Sequence, residues 1–240
     1  MRDYRLKVFH PRLDSIDALM HITKTQGFKS LFMPGRVVGR NYTPDPLKVA
    51  DETKFDQIYG VDYIGKSDFV YIHFVNEEYP CLRLTARFTN GKHNIPPGIT
   101  LEFTTMEITA GAVTVNHLAD FIQDMVDIIS PKFVYVYDIG DIPDVRHDTL
   151  SIDIDWFQGI GQKDVFPLEP NWMSYYNPLL VEKIGRERFE QLGMHHKAIG
   201  VGKGYLVTTT EEAFDITNHE HQKLGQSVID TLGLKRFLVK

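Results

Sequence analysis

Six carboxylates fall between positions 138 and 155: Asp138, Asp141, Asp144, Asp148, Asp153 and Asp155. Carboxylates this close can hold a divalent cation, or divide acid and base work at a glycosidic bond. The run Leu150–Phe157 reads as a strand, so Asp153 and Asp155 project from one face and Ile152, Ile154 and Trp156 from the other. A metal-dependent nuclease of the restriction type needs an acidic residue and then Glu-x-Lys on the next strand. Here the strand carries Asp-Ile-Asp and no lysine. A metal-dependent hydrolase using Asp144, Asp153 and Asp155 is therefore the alternative reading, not the first one. The same carboxylates lie beside Trp156, Trp172, Tyr175 and Tyr176, a composition suited to a protein interface. In such surfaces aromatic side chains anchor, and charges steer and select. The expectation is a partner-binding surface with Asp141, Asp144, Asp148, Asp153 and Asp155 as its electrostatic part. Trp172, Tyr175 and Tyr176 are its expected anchors. Against this stands the reading of both tryptophans as core residues.

The other motifs that could do chemistry are weaker. The run Gly200-Val-Gly202-Lys203-Gly204 lacks the Ser or Thr of a phosphate loop, and a strand-like segment follows it where a helix should open. Glycines in a strand mark a bulge or a close backbone approach instead. His195 and His196 are adjacent and point apart, and His219 and His221 lie near a helix start. Neither pair has a third ligand in view, so no metal and no cofactor is expected and the histidines read as surface residues. Cys81 is the one cysteine and reads as a small hydrophobe at a strand edge. No Gly-x-Ser-x-Gly elbow is present. The chain is read as a binder, without catalytic residues.

The elements that must position these residues follow from periodicity. Tyr4–Phe9 alternates as a strand, and Asp14 caps a helix running to Gln26 with Gly27 as its stop. Residues 32–46, with two glycines and three prolines, read as an irregular connection, and 51–59 as a short helix. Residues 68–76, 81–89 and 99–103 read as an antiparallel meander covered on one face, with Arg83, Arg87 and Glu102 as cross-strand charge pairs on the other. The covering helix is Val115–Ile129, with an apolar stripe of Leu118, Phe121, Ile122, Met125 and Ile129. A strand returns at 133–137. Residues 167–178 read as a loop, and Asn177-Pro178 opens a helix to Leu192. A glycine-punctuated strand at 198–208, a helix at 216–232 and an edge strand at 237–239 complete the series. Helices and strands do not alternate regularly, which predicts an α+β fold: antiparallel sheet with helices packed on one face. One domain over 1–240 is expected, with two halves, 1–140 and 141–240, as the other division.

Composition bounds the partners. The net charge of −6 is uneven. Residues 1–92 carry 14 basic against 11 acidic side chains, 93–164 carry 3 against 12, and 165–240 carry 9 against 9. The acidic middle repels phosphates and attracts a basic partner, so nucleic acid is not the expected ligand. No stretch is apolar enough to span a membrane and no signal-peptide core follows Met1, so a cytoplasmic protein is expected.

The stretch Asp155-Trp156-Phe-Gln-Gly159-Ile-Gly161, followed by Pro167-Leu-Glu-Pro170-Asn-Trp172, resembles the immunity protein 52 family. These are predicted α+β proteins that protect bacteria from polymorphic toxins, among them immunity proteins of type VI secretion systems. The segment from Leu118 through Pro131-Lys-Phe-Val-Tyr-Val-Tyr-Asp138 is similar to such proteins too. The family motif falls on Trp156 and Gly159, with two residues between them where the family has one. The resemblance implies a partner: a cognate toxin, often a nuclease, bound tightly 1:1 or 2:2 and blocked without any chemistry by the inhibitor. An acidic inhibitor would imitate the phosphate backbone on such a toxin.

Overall fold

The computed structural model describes residues 1–9, 16–32, 35–39, 47–48, 69–89, 98–139, 170–192 and 197–237. The chain is α+β, built from antiparallel strands and seven α-helices among the described residues. It divides into two compact units, one of Met1 and Arg5–Val134, the other of Arg2–Tyr4 and Tyr135–Lys240.

The N-terminal unit follows from alternation. β1 (Asp3–Phe9), β2 (Gly35–Gly39), β3 (Leu47–Lys48), β4 (Phe69–Asn76), β5 (Arg83–Thr89) and β6 (Gly98–Thr104) lie in the order β3-β2-β4-β5-β6-β1. The meander β4-β5-β6 is antiparallel throughout, as its alternation predicts. Ile72, Phe74, Leu84, Ala86, Phe88, Ile99, Leu101 and Phe103 turn to one side and are buried. Each fully buried Ile, Leu or Phe side chain contributes about 2 kcal/mol. Helices α1 (Ile16–Lys24), α2 (Gln26–Phe32) and the longer α4 (Val115–Ile129) supply the apolar partners, and Phe28 meets Phe74 edge-on at 5.2 Å. Thr114 caps α4 by accepting from the His117 amide, and Ser130 ends it in the left-handed region before Pro131.

Three sequence expectations in this unit need correction. Gly27 does not stop the first helix but sits inside α2, buried, with its amide donating to Asp124 Oδ2 at 2.8 Å. A Cβ there would come within 2.6 Å of the Phe121 nitrogen, so glycine serves helix packing. The supposed irregular connection contains β2, which pairs with β4 at five positions, because Val37-Val38 finds a strong strand beside it. A short helix α3 (Thr105–Thr109) follows β6, closed by a capping box: Thr104 accepts from Met106, and Glu107 accepts from the Thr104 amide and hydroxyl. Cys81 is exposed in the turn between β4 and β5, and so is not the small strand-edge hydrophobe expected.

The C-terminal unit holds β7 (Phe133–Asp138) from Tyr135 onward, β8 (Met173–Tyr176), α5 (Pro178–Ile184), α6 (Arg186–Glu190), the hairpin β9 (Lys197–Val201) and β10 (Gly204–Thr208), and α7 (His219–Leu232). The strands follow in the order β7-β8-β10-β9. Where the sequence reads one helix to Leu192, Gly185 at φ 103° breaks it into α5 and α6. The strand expected over 198–208 is a hairpin turned by Gly202 at φ 57°. The last helix starts at His219, capped by Asn218, and a 3-10 turn, Leu234–Phe237, follows it. Residues 238 and 239 of the expected edge strand, and the short helix at 51–59, lie outside the described residues.

Candidate functional site

Asp141, Asp144, Asp148, Asp153 and Asp155, the family-motif residues Trp156 and Gly159, and His195 and His196 all lie outside the described residues. The structure does place the first member of the acidic run. Asp138, at the end of β7, is buried and accepts from Arg2 Nη1 at 2.7 Å and from the Ile216 amide at 3.1 Å. Arg2 also meets Asp215 Oδ1 at 2.6 Å and donates through Nη2 to Thr217 Oγ1 at 2.7 Å. Asp215 Oδ1 in turn receives the Thr217 amide and hydroxyl and the Asn218 amide, which winds the turn that opens α7. Burial on its own raises the Asp215 pKa, but these bonds and the Arg2 charge outweigh it and hold the carboxyl below its ordinary value. Burial likewise opposes the Arg2 charge, and Asp138 with Asp215 overcomes it, raising the guanidinium further. This node is a clasp of the fold, and its carboxylates are already engaged.

The three expected anchors are interior. Trp172, Tyr175 and Tyr176 are exposed by only 1%, 2% and 3%. The expectation of surface anchors is corrected, because the predicted loop holding them is β8, paired with β10 from Met173 opposite Thr208 to Tyr176 opposite Tyr205. The Trp172 ring tilts against Tyr4 at 5.7 Å, and its Nε1 donates to the Thr210 carbonyl at 3.1 Å. Tyr176 meets Phe189 edge-on, and Phe189 stacks on Tyr205 at 4.9 Å with Arg186 over the outer ring. The glycine run belongs to the same cluster. A Cβ on Gly204 would collide with the Tyr176 carbonyl and come within 2.8 Å of the Tyr175 ring. The close-approach reading of these glycines holds at Gly204, which explains the motif without a nucleotide.

His219 is exposed, but His221 is not a surface residue as expected. Its Nδ1 accepts from the Asp215 amide at 2.9 Å, so the proton sits on Nε2 and donates to Glu212 at 3.0 Å. No group of three metal-ligating side chains occurs among the described residues.

A second surface comes from the polar side of the N-terminal meander. Register places Tyr71 opposite Arg87, His73 opposite Thr85, Arg83 opposite Glu102 and Thr85 opposite Thr100. Arg5 on β1 completes the row, donating from Nε at 3.1 Å and Nη2 at 2.8 Å to Glu102 Oε1. Of the charge pairs expected here, Glu102 is taken by Arg5, while Arg83 is exposed. Tyr71 and His73 stack with ring centres 6.3 Å apart. Arg5, Lys7, Tyr71 and His73 were not singled out from sequence, although the alternation of β1 and β4 carries them to this face. No helix among the described residues is long and apolar enough to cross a membrane.

No family model matches the chain, and no curated protein matches it. Among solved structures it is similar to the Pseudomonas aeruginosa T6SS protein PA0821, with a TM-score of 0.57 and 11% identity, over 97% of this chain and 73% of that one. At this identity the likeness establishes a shared fold. It meets the resemblance drawn from sequence in part, by linking the chain to a T6SS-associated protein with no family assigned.

Proposed function

We propose that this chain is an immunity protein of the immunity protein 52 kind, which binds a cognate toxin of a type VI secretion system in the cytoplasm and neutralises it by occluding its active surface. It performs no chemistry in this reading. The observation that carries the proposal is the likeness in fold, over 97% of the chain, to a T6SS protein. The sequence adds support through the Trp156–Gly159 stretch and the acidic segment 93–164, in which 12 carboxylates stand against 3 basic residues. A nuclease holds DNA on a basic surface, so such a segment attracts it and competes with phosphate. Asp141, Asp144, Asp148, Asp153 and Asp155 keep their proposed role as the charged contacts. The anchoring role does not pass to Trp172, Tyr175 and Tyr176, which pack the interior.

The test is co-purification of the tagged full chain from its source cells, followed by assay of any stoichiometric partner. A partner with nuclease activity that falls to background at an equimolar ratio supports the proposal. A partner whose activity is unaffected contradicts it. Reversing Asp153 and Asp155 together should weaken the complex by about tenfold at low salt and less at high salt.

A further inference from the structure

We propose that a polar cavity between α7 and the strands β8 and β10 holds one buried water molecule, with the Asn171 side chain as its principal partner. This goes beyond the immunity reading and does not rest on it. Alternation along β8 sends Ser174 and Tyr176 to one side, and Thr209 follows the end of β10. Together with Asn171 they give a cavity of about 10 Å³ its polar lining, and Val228 and Ile229 of α7 line it too. Gly225 lets α7 come this close: a Cβ there would collide with the ring of Pro170, the neighbour of Asn171 in the chain. Asn171 is exposed by only 9%, and its carbonyl accepts from Thr209 Oγ1 at 2.6 Å. Its side-chain amide, which offers two donor hydrogens and an acceptor oxygen, has no hydrogen-bond partner among the described residues.

Burial and size select the occupant. An amide shut away from solvent without a partner is disfavoured, and native interiors satisfy such groups through protein or ordered water. A cavity of about 10 Å³ has room for one water. No charged side chain lines it among the described residues, so an ion would find no counter-charge there. The occupant is then a small neutral molecule that both donates and accepts. Ser174 is hydrogen-bonded to the Tyr176 hydroxyl, and a serine oxygen has lone pairs for a second bond. A water between the Asn171 amide and that oxygen gains the two polar partners that a buried water requires.

The experiment is a crystal structure of the full chain at a resolution that shows ordered water, with deuteron and oxygen-17 relaxation dispersion in solution to count long-lived internal waters. One ordered water is expected within about 3.2 Å of the Asn171 side chain and of a hydroxyl in the cavity. Asn171→Leu removes the amide at similar volume, and should lose that water from the crystal and lower the solution count by about one. Ser227→Ala, on the exposed side of α7, should leave the count unchanged. Far-UV circular dichroism checks that both variants fold, and the wild-type crystal structure decides without them. A dry cavity, an Asn171 side chain bonded to protein groups instead, or a count that Asn171→Leu leaves unchanged would overturn the proposal.

Discussion

Arg2 ties together three points of the C-terminal unit: the end of β7 through Asp138, the α7 turn through Asp215, and Thr217. Removing it takes the guanidinium away from the buried Asp138 carboxylate. Arg2→Ala should therefore cost about 2 kcal/mol, read as a shifted denaturation midpoint. Asp215 sets an acid limb. Its folded pKa lies below the unfolded value near 4, so its stabilisation is present above about pH 4 and disappears as pH falls through the folded value. Asp215→Asn should flatten the loss of stability below about pH 4, followed by fluorescence of the tryptophans. Gly204→Ala should cost about 2 kcal/mol or more, because neither the Tyr176 carbonyl nor the Tyr175 ring has space to retreat. The close approach at the glycine run was legible in the sequence, but the couplings of Arg2 and Asp215 were not. Asp138 read as one of a run of carboxylates, and only pairing across long sequence separation shows which of them is engaged.

At the scale of elements, alternation and capping were sufficient where one face is apolar and the ends are marked. β4, β5, β6 and α4 stand where their patterns place them, and α4 has the expected bounds. The pattern misled where a strand is buried throughout. β8 has no alternation because all four of its residues are covered, and its flanking prolines made it resemble a loop. Gly185 and Gly202 were visible as glycines, but which of them breaks a helix or turns a hairpin depends on what packs beside them. The capping box at α3 was legible in principle as Thr104-x-x-Glu107. Thr104→Ala should destabilise the protein by about 1 kcal/mol or more, since Glu107 is buried and would lose its hydroxyl donor. Asn177→Ala at the start of α5 should cost about 1 kcal/mol in the same denaturation assay.

The whole molecule was legible in class. Irregular order of helices and strands gave α+β, and the structural likeness, to a protein whose own name carries T6SS, shows that fold. The charged face of the meander was half visible: Arg83, Arg87 and Glu102 stood out, but only register adds Arg5 and the Tyr71–His73 platform. Across the molecule, buried tyrosines set an alkaline limit. Burial, reinforced by Asp138, pushes Tyr4 up to about 12, and burial raises Tyr176 as well. The unfolded chain releases these protons near pH 10 while the fold retains them, so stability is full below pH 10 and falls between about 10 and 12. Tyr4→Phe should make that alkaline limb shallower. Growth is the readout in which neutralisation shows itself with fewest steps between. The partner recovered with this chain is expressed from an inducible promoter in a host that lacks both, with and without this protein. Arrested growth is expected from the partner alone, and full recovery when the two are expressed together. Arrest that persists in the presence of an equal amount of this protein would contradict the immunity reading.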